Sequence, residues 1–384
     1  SLAYIAAYAA SETVYRQYPY PMTDASGEPL IFNGRLMTEA EADAMGAAKW
    51  FWLMDVSKGS RWYDYILGEL GRALRSDPDS GFASFDGFEI DTYGNLRGDR
   101  FFASGSERSG DFLGEVLRDF VADVQTLTRR LKPSGLVSFN CVDEFGVEFM
   151  YGVTDFLFLE IWRGHTEWLP QLVAICDYHG AASDGRVVLK LYPVDLALAR
   201  ESWPPLVLAR LLGASMTGGG SLMVAGEPDP ESGRLHALRS LYYPDHLPLP
   251  SAGEAVLQAY YRHDAMLYGF THGRGVRPVE LGVSLANTVV RSYVAPQREA
   301  LCIQFLHYGN EPRWSAEPPS AAAHARPVIA FPLPAGKIPI EVYFASPDSA
   351  GFSNPRPLGF EVDDGQIRIE LPELLVHGTL LITY

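Results

Sequence analysis

The stretch FDGFEIDT (residues 85–92) reads as a short strand that ends on an acid, and its flanks decide the fold. Before it lies SRWYDYILGELGRALRS (60–76) and after it SGDFLGEVLRDFVADVQTLTRRLK (109–132), whose apolar residues recur at three- and four-residue spacing, as in amphipathic helices. Working outward, further apolar runs predict strands at 3–10 (AYIAAYAA), 49–56 (KWFWLMDV), 136–142 (LVSFNCV), 156–162 (FLFLEIW), 187–194 (VVLKLYPV) and 221–227 (SLMVAGE). Strands alternating with helices are the signature of βα units and a parallel sheet. A helix from Ser251 closes the series. After about Arg277 come short alternating segments separated by Gly, Pro and Asp turns, which predict an antiparallel all-β region. We therefore expect a β/α barrel over 1–276 and a C-terminal β-sandwich domain over 277–384.

Composition narrows the function. The 384 residues are 47% hydrophobic, 20% charged and 12% aromatic, and the formal net charge is -16. That charge repels phosphate backbones and anionic lipid, so neither nucleic acid nor a membrane surface is an expected partner, whereas a neutral sugar is compatible with it. Cys141, Cys176 and Cys302 lie in apolar stretches and read as core residues rather than as a disulfide framework. No run approaches the roughly 18 apolar residues of a membrane span.

In a β/α barrel the working residues stand at the C-terminal ends of strands. Three ends carry acids: Asp86, Glu89 and Asp91 in the first stretch, Asp143 and Glu144 with Asn140 in SFNCVDEFG, and Glu160 in DFLFLEIW. Strand alternation puts Glu89 and Asp91 on one side, facing the barrel interior, with Phe88 and Ile90 turned to the helices. Glu160 interrupts an apolar run, where an unpaired charge is costly, so it is either a compensated structural carboxylate or a catalytic one. Two such carboxylates among Trp162, Trp168, Tyr93 and Tyr192 suit glycoside hydrolysis, although core packing is the default for any single ring. His165, His179, Asp143, Glu144 and Glu148 show no metal-ligand spacing, and neither a metal nor a cofactor is expected. The triple glycine 218–220 has no following Lys and reads as a tight connection, not a phosphate loop.

Across AYIAAYAA, WFWLMDVSKGSRWYDYI, FDGFEIDTYG, FNCVDEFG, DFLFLEIW, VVLKLYPVD, GASMTGGG, LYYPDHLPL, AVLQAYYRHDAMLY and EVYFASPD the chain resembles glycoside hydrolase family 66, the dextranases and cycloisomaltooligosaccharide glucanotransferases. The resemblance implies a (β/α)8 TIM-type barrel, with Asp91 as nucleophile, Glu160 as acid/base, and Asn140, Lys190 and Tyr192 as subsite residues. With Trp162 and Glu89 these form the expected substrate-binding set. The family places its catalytic pair on strands four and six. AYIAAYAA would then be the third strand, leaving an upstream segment or another element to supply the first two. Where the family continues after the glycines with a histidine and acids, this chain has SLMVAGE.

The expected function is retaining hydrolysis of α-1,6-glucan by double displacement, on a polymer that implies secretion or a cell-surface location. One alternative is a transglycosylase that makes cyclic or elongated isomaltooligosaccharides. Another is a non-catalytic glycan-binding barrel.

Overall fold

The computed structural model describes residues 2–32, 36–37, 51–75, 84–91, 100–103, 106–162, 164–183, 187–191, 204–224, 226–228, 233, 235–238, 246–272, 275–314, 324–334 and 336–384. The chain forms two compact units, Ser1–Glu160 and Ile161–Tyr384.

The first unit is built on four parallel strands, β1 (Leu2–Ala6), β2 (Gly87–Asp91), β3 (Leu136–Asn140) and β4 (Phe156–Ile161), adjacent in that order. Two helices serve as crossovers, α1 (Arg61–Ala73) and α2 (Gly110–Leu131), close to the expected 60–76 and 109–132. Ser60 caps α1 by accepting the backbone N–H of Tyr63 at 3.0 Å. One face of the sheet carries Phe88, Ile90, Val137, Phe139, Leu157 and Leu159, all essentially sealed from solvent. The inner stripe of α2, which packs on β3, adds Leu117, Phe120, Val121 and Val124. Each such side chain contributes roughly 1.5–3 kcal/mol by leaving water.

Gly87 fixes how closely β2 and β3 approach. A Cβ there would stand 1.8 Å from the backbone oxygen of Leu136, so only glycine fits this register.

AYIAAYAA is not a single strand. The chain leaves the parallel sheet after Ala6, and Ala9–Ala10 instead pairs antiparallel with Phe51–Leu53 in a small sheet with Ile31–Phe32 and Leu36–Met37. The turn is held where Trp62 Nε1 donates to Ala7 O at 2.9 Å. The expected parallel strand at 49–56 is corrected by the same observation: its apolar run serves the antiparallel sheet, and hydrophobicity alone does not distinguish the two.

The second unit holds another parallel pair, β5 (Val187–Leu191) and β6 (Ser221–Met223), and the helices α3 (Leu169–Ser183), α4 (Pro205–Thr217) and α5 (Ser251–Thr271). Every residue of α4 from Val207 to Thr217 is buried. Such a helix shows no amphipathic periodicity, which is why the sequence pattern does not mark it. Glycines 218–220 follow it. At Gly218 a Cβ would lie 2.5 Å from Val173 O, and at Gly220 2.8 Å from Cys176 Sγ, so the triplet serves close packing against α3. Among the described residues the parallel strands number six, four in the first unit and two in the second. A closed eight-stranded barrel is not among them.

From Arg277 onward the structure is antiparallel, as expected. Strands β7 (Arg277–Val279), β8 (Thr288–Ala295), β9 (Ala300–His307), β10 (Val328–Pro332), β11 (Glu341–Ala345), β12 (Arg356–Pro357), β13 (Phe360–Asp363), β14 (Gln366–Glu370) and β15 (His377–Thr383) form two sheets, ordered β7-β8-β9-β15-β11-β12 and β10-β14-β13. Ile303, Phe305, Val342, Phe344, Leu380 and Ile382 of the first meet Ile329, Phe331, Ile367 and Ile369 of the second in one core. All three cysteines are free and buried.

Two buried histidines join the helices to this sandwich. His263 of α5 contacts Thr379 Oγ1 through Nε2 at 3.0 Å, and its ring lies edge-on to that of His377, 5.3 Å between centroids. Burial pushes His263 down to about 4 and His377 well below the usual histidine range, so both are neutral. Asp348 lies nearby, accepting the His377 backbone N–H at 2.7 Å and the Tyr260 hydroxyl at 2.7 Å, and burial raises its carboxyl.

Candidate active site

Sheet register assembles the site. Tyr4 is opposite Glu89, Ile90 opposite Phe139, and Phe158 opposite Asn140. Side chains alternate, so Tyr4, Glu89, Asp91, Asn140 and Glu160 all project from the face opposite the helix-packed one. Asp91, Asn140 and Glu160 stand at or next to the carboxyl ends of three neighbouring strands.

On that face one amide joins two carboxylates. Asn140 Nδ2 donates to Asp91 Oδ1 at 2.6 Å and to Glu160 Oε2 at 2.7 Å. The two lengths bound the gap between those oxygens at no more than their sum, 5.3 Å. The Tyr4 hydroxyl donates to the other oxygen of Asp91, Oδ2. Asp91, Asn140 and Glu160 are 8%, 2% and 6% exposed, while Tyr4 leaves 58% of its surface open to solvent. Low exposure strengthens each of these bonds and makes each costly to leave unmade. The arrangement can hold two oxygens of opposite function within reach of one sugar carbon.

Of the expected set, Asp91, Asn140 and Glu160 come together and Glu89 shares their face, partly buried at the level of Tyr4. Trp162 and Lys190 belong to the second unit. Trp162 is partly buried and opens the loop after β4, and Lys190 is buried on β5. Tyr192 lies outside the described residues, as does Tyr93. Asp143 and Glu144 form a tight turn just past Asn140, with φ of 48° and 62°. Non-glycine residues are uncommon in that left-handed region.

Tyr4 is the residue that sequence reading misses. Its signal was present: a tyrosine on an otherwise apolar strand, in phase with Glu89 and Asp91 once β1 and β2 are known to be parallel neighbours.

Buried paired carboxylates at the carboxyl ends of parallel strands are the constellation of a glycoside hydrolase. The chain belongs to glycosyl hydrolase family 66, whose family model matches residues 1–192, the span that carries Asp91, Asn140 and Glu160. Its activity is therefore that of a glycoside hydrolase or transglycosylase on a carbohydrate substrate. Among solved structures, the cycloisomaltooligosaccharide glucanotransferase of Paenibacillus sp., complexed with cycloisomaltoheptaose, is similar over 99% of this chain and 72% of that one, with TM-score 0.78 and 14% identity. An α-amylase from Anoxybacillus is similar over 100% and 75%, with TM-score 0.52 and 8% identity. That of Geobacillus thermoleovorans, complexed with acarbose, is similar over 97% and 73%, also with TM-score 0.52 and 8% identity. At these identities the likeness is one of fold. No curated protein sequence matches the chain.

Proposed function

We propose that the protein is a retaining glycoside hydrolase acting on α-1,6-glucan, with Asp91 as nucleophile and Glu160 as acid/base. The observation that carries this reading is the shared Asn140 amide, which keeps an oxygen of each carboxyl within 5.3 Å of the other. Retaining enzymes hold their carboxyl groups about 5–5.5 Å apart; inverting enzymes need about 6.5–9.5 Å to admit a water.

In the reading proposed, Glu160 gives its proton to the glycosidic oxygen as Asp91 attacks the anomeric carbon from the opposite face. The glucan's leaving portion departs as an alcohol and a glycosyl-enzyme remains. Glu160, now ionised, takes a proton from water as that water attacks the same carbon. The Asp91 carboxylate leaves, and the Tyr4 and Asn140 donors receive its returning charge. Asn140 thus acts on the two carboxyl groups themselves, with its subsite role added to that.

We further read the six parallel strands as parts of one β/α barrel, residues 1–276 as the catalytic domain and 277–384 as its β-sandwich companion. A polymeric substrate supports action outside the cell. The same glycosyl-enzyme can instead pass to a sugar hydroxyl, and family membership supports this transglycosylase reading as the second one.

The test is incubation with dextran, following product size and the anomeric configuration of the first product by NMR. Release of α-configured isomaltooligosaccharides, lost in Asp91→Asn and in Glu160→Gln, is the expected result. A β-configured first product overturns double displacement. Cyclic or longer products select transfer, and binding of dextran without turnover selects the non-catalytic reading.

A further inference from the structure

The loop that leaves β4 is tied down by a distant piece of sequence. Segment Glu311–Trp314, which lies between β9 and β10 of the sandwich, runs antiparallel to it in a bridge between Trp168 and Arg313. Leu169 N donates to Pro312 O at 2.8 Å, and Trp314 N donates to Glu167 O at 2.8 Å. The Trp314 indole is 1% exposed and donates through Nε1 to Thr166 O at 3.0 Å. Glu311 is itself held, its backbone oxygen by the buried Arg210 of α4 and its carboxylate by Arg313, with Nη2 to Oε2 at 2.8 Å. On the loop side, Trp168 O accepts the N–H groups of Gln171 and Leu172 at 3.0 and 3.1 Å at the start of α3, and the Thr166 hydroxyl donates to Gln171.

On the loop side of this anchored backbone the exposed side chain is an aromatic one. Trp168 is 45% exposed between a buried Thr166 and a fully buried Leu169. Holding an indole in water forgoes the burial that large aromatics otherwise supply, and doing so on a backbone fixed at four successive residues leaves a flat, rigid, apolar plate. The plate stands on the loop that follows β4 in the chain, and the loops that leave the carboxyl ends of parallel strands are where such folds carry their ligand-binding side chains.

We propose that Trp168 is a sugar-stacking platform for the glucan chain and that Glu311–Trp314 is the strut that sets its position. The C–H face of a glucose unit lies on the indole, so the platform recognises a run of linked units rather than the bond being cleaved. This rests on the glucan-active reading above and deepens it by assigning chain recognition to a residue outside the carboxylate cluster.

The experiment is native electrophoresis of the whole chain in gels containing dextran, with kinetics on dextran alongside. Wild type is expected to be retarded. In Trp168→Ala the apparent dissociation constant for dextran rises roughly tenfold, with KM rising more than kcat falls, and Trp168→Phe recovers part of the loss. Trp314→Phe keeps an aromatic ring in the buried site and removes the indole N–H with its hydrogen bond. It is expected to weaken retardation while circular dichroism shows the wild-type fold. Equal retardation of wild type and Trp168→Ala overturns the proposal, as does a wild type that dextran does not retard. The two readings fail separately: retardation that depends on Trp168 without turnover sinks the hydrolase and spares the platform, and turnover with an unchanged KM in Trp168→Ala does the reverse.

Discussion

Asn140 donates to Glu160 Oε2 through the same nitrogen that donates to Asp91 Oδ1, at 2.7 and 2.6 Å. A single planar group therefore sets the distance between two carboxyl groups and orients both. Asn140→Ala is expected to lower kcat/KM by about 10²–10³, because both groups lose their common reference. Asn140→Asp should be worse, since it replaces the donor with a third carboxyl group beside two others. Steady-state kinetics on dextran decide this, and a loss below about threefold in Asn140→Ala rules out the positioning role.

The Tyr4 hydroxyl meets the oxygen of Asp91 that Asn140 leaves open. Removing it in Tyr4→Phe takes one donor from a carboxylate that, as the proposed nucleophile, has to be ionised to attack and has to depart as an anion. The acid limb of the kcat/KM profile should move to higher pH, and kcat/KM at its optimum should fall about tenfold. A profile that keeps its wild-type limb shows that the hydroxyl is only structural.

The neutral histidines His263 and His377 predict acid-sensitive folding of the second unit. Both are lowered by burial, so the unfolded chain takes up protons first as pH falls. Stability is then lost below the ordinary histidine value, 6.5, toward the folded value of His263, about 4. For His263 alone the loss approaches about 3 kcal/mol by the lower limit. Thermal unfolding between about pH 7 and pH 4 measures it, and His263→Gln should show a shallower dependence. An identical dependence in the variant removes His263 as the cause.

Gly87→Ala tests the sheet itself. Its methyl group would stand 1.8 Å from Leu136 O, a backbone atom with no rotamer to escape into, so β2 and β3 have to separate. Destabilisation of about 3 kcal/mol is expected in urea unfolding, with activity reduced as Asp91 and Asn140 move apart. A midpoint equal to wild type would show that the strands tolerate the shift.

Much of this site was legible in the sequence because strands impose a period of two. Glu89 and Asp91 share a side whatever the tertiary structure, and a glutamate inside FLFLEIW demands a compensating partner. What could not be read was register. The pairings of Tyr4 with Glu89 and of Phe158 with Asn140 depend on which strands are neighbours and how far each slides, and only these bring Tyr4 and Asn140 to the two acids. The apolar run at 49–56 misled for a related reason, since hydrophobicity reports that a strand is buried and not which sheet receives it. Helix α4, buried all round, offers no stripe for periodicity to detect.

The strut has a consequence for anyone dividing this chain into parts. The change in character near residue 277 invites a cut there, yet Trp314, beyond that point, fills the space beneath the 166–169 loop, and Tyr293, Cys302 and Leu381 cover Leu267 of α5. A fragment ending at 276 would carry an unsupported loop and an open apolar seam. It is expected to come out of cells as aggregate, and swapping sandwiches between relatives would replace the segment that holds the 166–169 loop along with the seam itself.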